Sequence, residues 1–583
     1  MYDSVIRNGT VIDGSGGERK IADVAIKAGR IAAIGSINPD DAEKTIDADG
    51  LIVAPGFVDL HTHYDAQVFW DPLMSPSPFH GVTTVLGGLC GFTLQPLNAD
   101  AAGYLVPMLS QVEDIPLPSL EAGVPCDWND FAGFRKGIEG RTAINCGFST
   151  GHSALRRVAM GERAMSEKAS PEDIVQMRRL LAEALDQGAL GFSTSNSTTH
   201  SDHNGMPVPS RYADREEFVA LAACCGAYEG AAVEIQPGLL FDDATADLLA
   251  EMSIASGRTV NWNAMFTSTL DANERATIER QLAMSDHARS RGGDVVGLTV
   301  PITAVPHFDL WRGGVFDIVP GWDRLIRLAP ADRIPALRDA SFRDMLRAAA
   351  LSPEAQAIQV VRQLTDPAFI IVEAGHSDIV RNLAGRSIAS IAGERGTDPF
   401  DTLLDVALDD GLHTLFTFAD VGEDEATYRF RRDLWRDDRL CVGGSDAGAH
   451  VETIDTFSYF TRMIEQAVRR FGVISLEECI HHLTAAPASL SGLRDRGMIK
   501  SGWHADLVLF DETSIARRAI HTRSDFPTGA SRLYAEADGI ERVIVAGVPV
   551  IEQGRDTGAR PGQFLTRGKD TYSVGVKGQR AAA

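Results

Sequence analysis

Between residues 56 and 444 short apolar runs recur after stretches of helical periodicity, and this alternation restricts the chain to a parallel sheet covered by helices. One unit shows the logic. Ser170-Pro171-Glu172-Asp173 offers an N-cap, a proline at the first helical position and first-turn acids, and Ile174, Met177, Leu181, Ala184 and Leu185 share one face. Gly188 stops that helix, and an apolar strand, Ala189 to Ser193, follows at once. Similar runs lie at 56–60, 83–87, 143–148, 232–236, 259–263, 295–301, 369–373 and 440–444. A closed barrel has one place fewer, so either 295–301 or 369–373 is expected to belong to an excursion. The segment 305–347, with Pro306, His307, Trp311, Gly313, Gly314, Pro320 and Trp322, reads as that insertion, either a lid or a surface elaboration. A doubly wound open sheet is the structural alternative.

The two ends follow another pattern. Val5 to Ile12 sets Asn8-Gly9 between apolar pairs, a hairpin signal, and Ala25 to Ala32 repeats it around Ala28-Gly29. Ala505 to Phe510 and Val543 to Val550, the latter around Ala546-Gly547, are of the same kind. The expected organisation is therefore α/β: a (β/α)8 TIM-like barrel over 56–496 with an insertion around 305–347, and a small β-sandwich domain built from 1–55 plus 497–583. The stretch from Gly568 onward reads as a loose tail.

Composition narrows the partners. With 55 Lys plus Arg against 80 Asp plus Glu, the net charge of -25 would repel a phosphate backbone, so nucleic acid is a poor ligand. No apolar run approaches the roughly 18 residues of a membrane helix, and Met1-Tyr2-Asp3-Ser4 lacks the features of a signal peptide, so a soluble, cytoplasmic protein is expected. Seven cysteines without a repeated CxxC suggest neither a disulfide framework nor a zinc ribbon. A small-molecule substrate is the expected partner, and a homo-oligomer is left open.

The chemistry concentrates where the strand Gly56 to Leu60 runs into His61-Thr62-His63. Residues two apart on a strand face one side, so both imidazoles can meet one cation at the strand's C-terminal end, the catalytic end of a barrel. Gly147-Phe148-Ser149-Thr150-Gly151 formally matches a nucleophile elbow, which would need Asp and His partners elsewhere.

Pro55-Gly56-Phe57-Val58-Asp59 followed by His61-Thr62-His63 resembles the first-strand motif of the amidohydrolase superfamily. Further blocks are similar to its D-aminoacylase (N-acyl-D-amino-acid deacylase) branch: Gly81 to Val85 leading into Leu89-Cys90-Gly91-Phe92, Gly151-His152-Ser153-Ala154-Leu155-Arg156, Gly188 to Thr194, Gly443 to His450, and Asp495 to Gly502. The resemblance runs nearly end to end. It implies a metal-dependent hydrolase cleaving a C-N (amide) bond, with metal-bound water as nucleophile and Asp446 as proton shuttle. It also implies metal ligands at His61, His63, Cys90 and Asp446, with Zn2+ or another divalent ion; the departures from the family pattern, not the resemblance, lead to the expectation of one ion rather than two.

Departures from the family pattern are equally informative. Strands five and six, which end in His ligands in that family, here read Val233-Glu234-Ile235-Gln236 and Asn261-Trp262-Asn263. Gln236 and Asn263 are the expected replacements and, as neutral amides, weak zinc ligands. They are assigned with His152, Arg156, His200 and His203 to substrate binding. Glu234 stays a candidate ligand should the strand register differ by one residue, and His376 and His450 are loop candidates. The arginine and tyrosine with which the family clamps a substrate carboxylate are missing from their usual places, leaving Arg156, Arg157 or Arg211 to supply a partner. The alternatives to an acyl-amino-acid hydrolase are a related hydrolase of cyclic amides, carbamates or esters, and a metal-free binding pseudoenzyme.

Overall fold

The computed structural model describes residues 1–576 except 269, 312–315, 317–318, 357–360, 362–363, 368 and 420–421. The chain forms two compact units, one comprising 1–303, 422–451 and 456–583, the other 304–421 and 452–455.

In the first unit eight parallel strands follow one another through the chain. Phe57–Asp59, Val82–Gly87 and Asn145–Phe148 make a three-stranded sheet. Thr150–Gly151 continues the third strand into a six-stranded sheet with Gly191–Ser195, Ala232–Gln236, Val260–Met265, Val295–Thr299 and Leu440–Val442. A further parallel bridge joins Thr62, just beyond strand one, to Ala447, just beyond strand eight. The expected helix is Pro171–Asp186, with a capping box between Ser170 and Asp173 and with Met177, Leu181, Ala184 and Leu185 buried. Val260–Met265 pairs with Val295–Thr299, and the latter with Leu440–Val442. Of the two competing runs, therefore, 295–301 belongs to this sheet. Ile370–Ala374 instead pairs antiparallel with Leu415–Phe418 in the second unit.

The second unit has its own apolar core, in which Phe308, Phe316, Trp322, Leu346, Ile370 and Phe416 are buried. The segment 305–347 is part of this larger body; Gly313 and Gly314 lie outside the described residues.

Both ends of the chain enter one nine-stranded sheet, in which Ile52–Pro55 lies between Ser4–Val11 and Leu507–Phe510. Two of the sequence hairpins form as read. Ala28 (φ 50°) with Gly29 (φ 72°), and Ala546 (φ 46°) with Gly547 (φ 77°), make two-residue turns of the left-handed type that matches strand twist. Asn8-Gly9 does not turn the chain. Asn8 takes φ 61°, but Ser4–Val11 runs straight through it and the register against Lys20–Lys27 shifts between Ile6 and Gly9. The pair makes a bulge: Asn8 N–H donates to Asp23 Oδ1 at 3.0 Å, and a Cβ on Gly9 would meet Val53 at 2.4 Å. The segment after Gly568 also departs from the reading. Tyr572 N–H donates to Gly492 O at 2.7 Å, Thr259 N–H to Val574 O at 3.0 Å, and Thr571 is buried, so backbone bonds tie the segment to the first unit as far as Val574. Residues 577–583 lie outside the described residues.

Candidate metal centre

The C-terminal ends of strands one and eight are bonded to each other at the residues that carry the chemistry. His63 N–H donates to Ala447 O at 2.8 Å and Asp446 N–H to His61 O at 3.2 Å. Asp59 on strand one accepts from Ser445 Oγ, which in turn accepts from Ala447 N–H at 2.9 Å. These bonds fix both histidines and Asp446 in one frame.

Cys90 reaches the same point from strand two through a sharp loop. Gly88, Cys90 and Gly91 all have positive φ, at 71°, 52° and 76°. The loop is held from behind: Ser193 Oγ donates to Gly88 O at 2.6 Å and accepts from Gly91 N–H at 3.1 Å. A Cβ on Gly88 would lie 2.3 Å from Ser149 O, so only glycine fits there.

The side chains converge. His61 Nε2 lies 3.4 Å from Cys90 Sγ and 3.3 Å from Asp446 Oδ1, and His63 Nε2 lies 3.7 Å from the same oxygen. One donor atom from each of His61, His63 and Cys90 falls within a 4.8 Å span. Tetrahedral ligands at zinc bond lengths stand roughly 3.3–3.8 Å apart, a spacing that the His61–Cys90, His61–Asp446 and His63–Asp446 distances meet. Behind this group, the other ring nitrogens face carboxylates: His63 Nδ1 is 3.1 Å from Glu113 Oε1, and His61 Nδ1 is 3.8 Å from Glu234 Oε1. Carboxylates behind ligating imidazoles are the usual support of a metal centre.

The electrostatics agree with that use. Burial holds the His61 imidazole neutral, down to about 3, and pushes the Cys90 thiol up, so a cation is what would ionise the sulfur. Burial also opposes charge on Asp446, but the hydrogen bond from His63 and the two imidazoles outweigh it and bring the carboxylate to about 2. Burial raises Glu234 to about 8 and both Asp59 and Asp65 to about 7.

The residues assigned to substrate divide. Asn263 joins the centre, its Nδ2 3.2 Å from His61 Nε2 and 3.5 Å from Asp446 Oδ1. Glu234 does too, accepting from Cys90 N–H at 3.0 Å. Glu234 and Gln236 are two apart and share a face in any register, so the one-residue shift considered above would not separate them. Gln236 Oε1 turns back to Gly238 N–H at 2.8 Å. His200 Nδ1 pairs with Ser195 Oγ at 2.7 Å, and its ring lies 4.9 Å from that of Phe92, two residues beyond Cys90. His203 is exposed and edges Tyr104. His152 and Arg156 are not brought into the group. Both nitrogens of His152 are engaged, by Thr194 Oγ1 at 2.8 Å and Glu217 Oε1 at 2.7 Å, and Arg156 is bound to the same buried Glu217. Ser149 shows no hydrogen bond from its hydroxyl to a histidine or acid among the described residues, so the elbow lacks its triad. His376 belongs to the second unit.

Reading by motif missed Glu113 and Asp114. They end the helix Ala99–Glu113, and Asp114 Oδ2 lies 2.8 Å from His450 Nδ1. Their signal was chemical, because adjacent acids at a helix C-terminus oppose the helix dipole.

The amidohydrolase family matches residues 44–551 of this chain. The chain belongs to that family. As an amidohydrolase it is a hydrolase acting on carbon-nitrogen bonds other than peptide bonds. It is 29% identical over 578 residues to an N-acyl-D-glutamate deacylase of Alcaligenes xylosoxydans xylosoxydans, covering 97% of this chain and 96% of that one. It is 26% identical over 573 residues to a D-aminoacylase of the same organism, covering 97% and 98%. Among solved structures, a D-aminoacylase described as defining a novel subset of amidohydrolases superposes with a TM-score of 0.64 at 23% identity, covering 97% of this amidohydrolase and 100% of that chain. An N-acyl-D-glutamate deacylase from Bordetella bronchiseptica, complexed with zinc and a phosphonate inhibitor, gives 0.62 at 23% identity, covering 97% and 99%. No helix among the described residues is long and apolar enough to cross a membrane.

Proposed function

We propose that this amidohydrolase cleaves the acyl–nitrogen bond of small N-acyl compounds at a single divalent metal ion held by His61, His63, Cys90 and Asp446, on eight strands that close as one barrel. The observation that carries the reading is the grouping of one donor atom each from His61, His63 and Cys90 within 4.8 Å, with Asp446 Oδ1 3.3 Å and 3.7 Å from the two imidazoles. The names of the relatives, deacylases of N-acyl-D-amino acids, support the bond type. A thiolate with two imidazoles favours zinc over magnesium or calcium. Such an ion polarises a carbonyl and lowers the pKa of water toward about 7.

The chain's own residues do the rest. Asp446 stays ionised at neutral pH and makes its closest contacts through Oδ1, so its carboxylate can take the proton of the attacking water and pass it to the departing nitrogen. Asn263, 3.2 Å from His61 Nε2, is placed to orient the acyl carbonyl. Glu113 and Glu234 keep the two imidazoles in position. With Gln236 turned to Gly238 and an amide at Asn263, neither residue supplies a strong ligand to a second ion.

The test is metal content by plasma mass spectrometry on untagged protein, together with turnover of N-acyl-D-amino acids. About one equivalent in the native chain, lost in His61→Ala, with turnover abolished in Asp446→Asn, is expected. Two equivalents, or turnover surviving Asp446→Asn, would overturn the assignment.

A further inference from the structure

Gly91, the residue after Cys90, sits in a slot between two backbone segments. A Cβ on it would lie 3.0 Å from Thr194 Cα, on strand four (Gly191–Ser195), and a Cβ on Gly151, at the end of strand three, would lie 2.7 Å from Gly91 O. Hydrogen bonds close the slot from both sides. Gly91 N–H donates to Ser193 Oγ at 3.1 Å, and Ser153 N–H, in the first turn of the helix His152–Met160, donates to Gly91 O at 3.1 Å. The spacing of the two walls therefore decides where the Cys90 loop can lie.

One side chain spans the walls. His152 begins the helix on one wall, and its Nδ1 pairs at 2.8 Å with Thr194 Oγ1 on the other. Side chains alternate along a strand, so Ser193, which holds the Cys90 loop, and Thr194, which meets His152, face opposite ways from adjacent positions. The imidazole has no room to turn: it is fully buried, edge-on to Phe192 and Phe218, and Nε2 meets Glu217 Oε1 at 2.7 Å. Arg156, one helical turn beyond His152, fixes the same carboxylate oxygen through Nη1 at 2.7 Å.

The direction of each bond follows from the charges. Burial holds the His152 imidazole below its ordinary value, so at neutral pH the ring carries one hydrogen. Burial also opposes charge on Glu217, but the bond from His152 and the neighbouring guanidinium outweigh it and keep the carboxylate ionised, an acceptor only. The ring hydrogen therefore sits on Nε2, Nδ1 accepts, and the Thr194 hydroxyl donates to it.

We propose that His152, locked by Glu217 and Arg156, is a positioning residue that acts through Thr194 to set the slot around Gly91 and so the place of the Cys90 sulfur in the metal centre. This rests on the reading of Cys90 as a metal ligand. Removing the Thr194 hydroxyl or the imidazole leaves a buried polar group without its partner, and the two walls are then free to part.

Two measurements on the full-length chain test this, each on the native protein, Thr194→Val, His152→Phe and Thr194→Ser. The first is hydrogen exchange, followed by mass spectrometry, in the chain stripped of metal, which reads the loop without assuming a ligand. Thr194→Val and His152→Phe remove the bond from opposite ends, so where one does not fold the other reads the same bond. Both should speed exchange of the peptide containing Cys90 and Gly91 by about tenfold, the factor set by loss of one buried hydrogen bond, while Thr194→Ser keeps the native rate. The second loads cobalt(II) and records the near-ultraviolet thiolate-to-cobalt absorption, expected in the native chain and Thr194→Ser and shifted or weakened in the other two. Unchanged exchange or an unchanged band in those two variants, whatever their stability, would overturn the proposal, as would failure of Thr194→Ser to restore both. Absence of the band from the native cobalt protein is a separate failure: it removes Cys90 from the metal centre and with it the reading on which the proposal rests.

Discussion

Replacing Glu234 by Gln tests whether the centre is built for a cation. The carboxylate accepts from Cys90 N–H at 3.0 Å and faces His61 Nδ1 at 3.8 Å, so one side chain orients two of the proposed ligands. Glutamine preserves the shape and can still accept from Cys90, but then presents its NH2 to a ring nitrogen that must carry hydrogen when Nε2 is a ligand. Two unit charges 3.8 Å apart interact by about 4 kcal/mol at an effective dielectric near 20, and a ligated ring carrying roughly half a charge retains ~2 kcal/mol. That is about a 30-fold loss of affinity, inside the 10- to 100-fold range usual for groups behind a ligating histidine. The assay is competition for zinc against a chromophoric chelator across pH. In the metal-free protein burial keeps Glu234 protonated up to about pH 8, so cation uptake expels that proton and affinity climbs with pH toward 8. The variant should bind more weakly and lose that share of the slope. Unchanged affinity with an unchanged slope would refute the argument.

Two further outcomes follow from the geometry. Gly88→Ala puts a methyl 2.3 Å from Ser149 O at a left-handed φ, so the Cys90 loop must move; a melting-temperature drop and lost metal retention are expected, readable by calorimetry and mass spectrometry. Burial holds His482 neutral down to about 4, below its ordinary 6.5, so its stabilising contribution is present above pH 6.5 and is lost as pH falls toward 4, by up to about 3 kcal/mol. Urea titrations at pH 7 and pH 4.5 should therefore show a smaller acid loss in His482→Gln than in the native chain.

What could be read from the sequence depended on whether geometry is local. His61 and His63 share a strand end, and the helix ending before Gly188 carries its own cap and stripe, so short-range rules sufficed. Asn8-Gly9 failed because the same positive φ serves a turn or a bulge, and the choice was made by Asp23 and Val53, both distant in sequence. Cys90 and Asp446 came from resemblance rather than spacing. Glu113 was invisible to motif reading because its partner, His63, lies 50 residues away on another element. His152 looked functional beside Arg156 in a Gly-His block, but a buried glutamate two helices on in the chain, Glu217, holds both.

The shared terminal sheet imposes an order on synthesis. Ile52–Pro55 leaves the ribosome early, yet the partner along one of its sides, Leu507–Phe510, is translated some 450 residues later. At elongation rates of about 5–20 residues per second, that strand edge waits on the order of half a minute or more with its amides and carbonyls unpaired. An open edge for that long is a template for pairing with another nascent chain. Expression yield should therefore respond to chaperone supply during elongation, and to loss of the last strands, more sharply than the finished protein's stability alone would suggest.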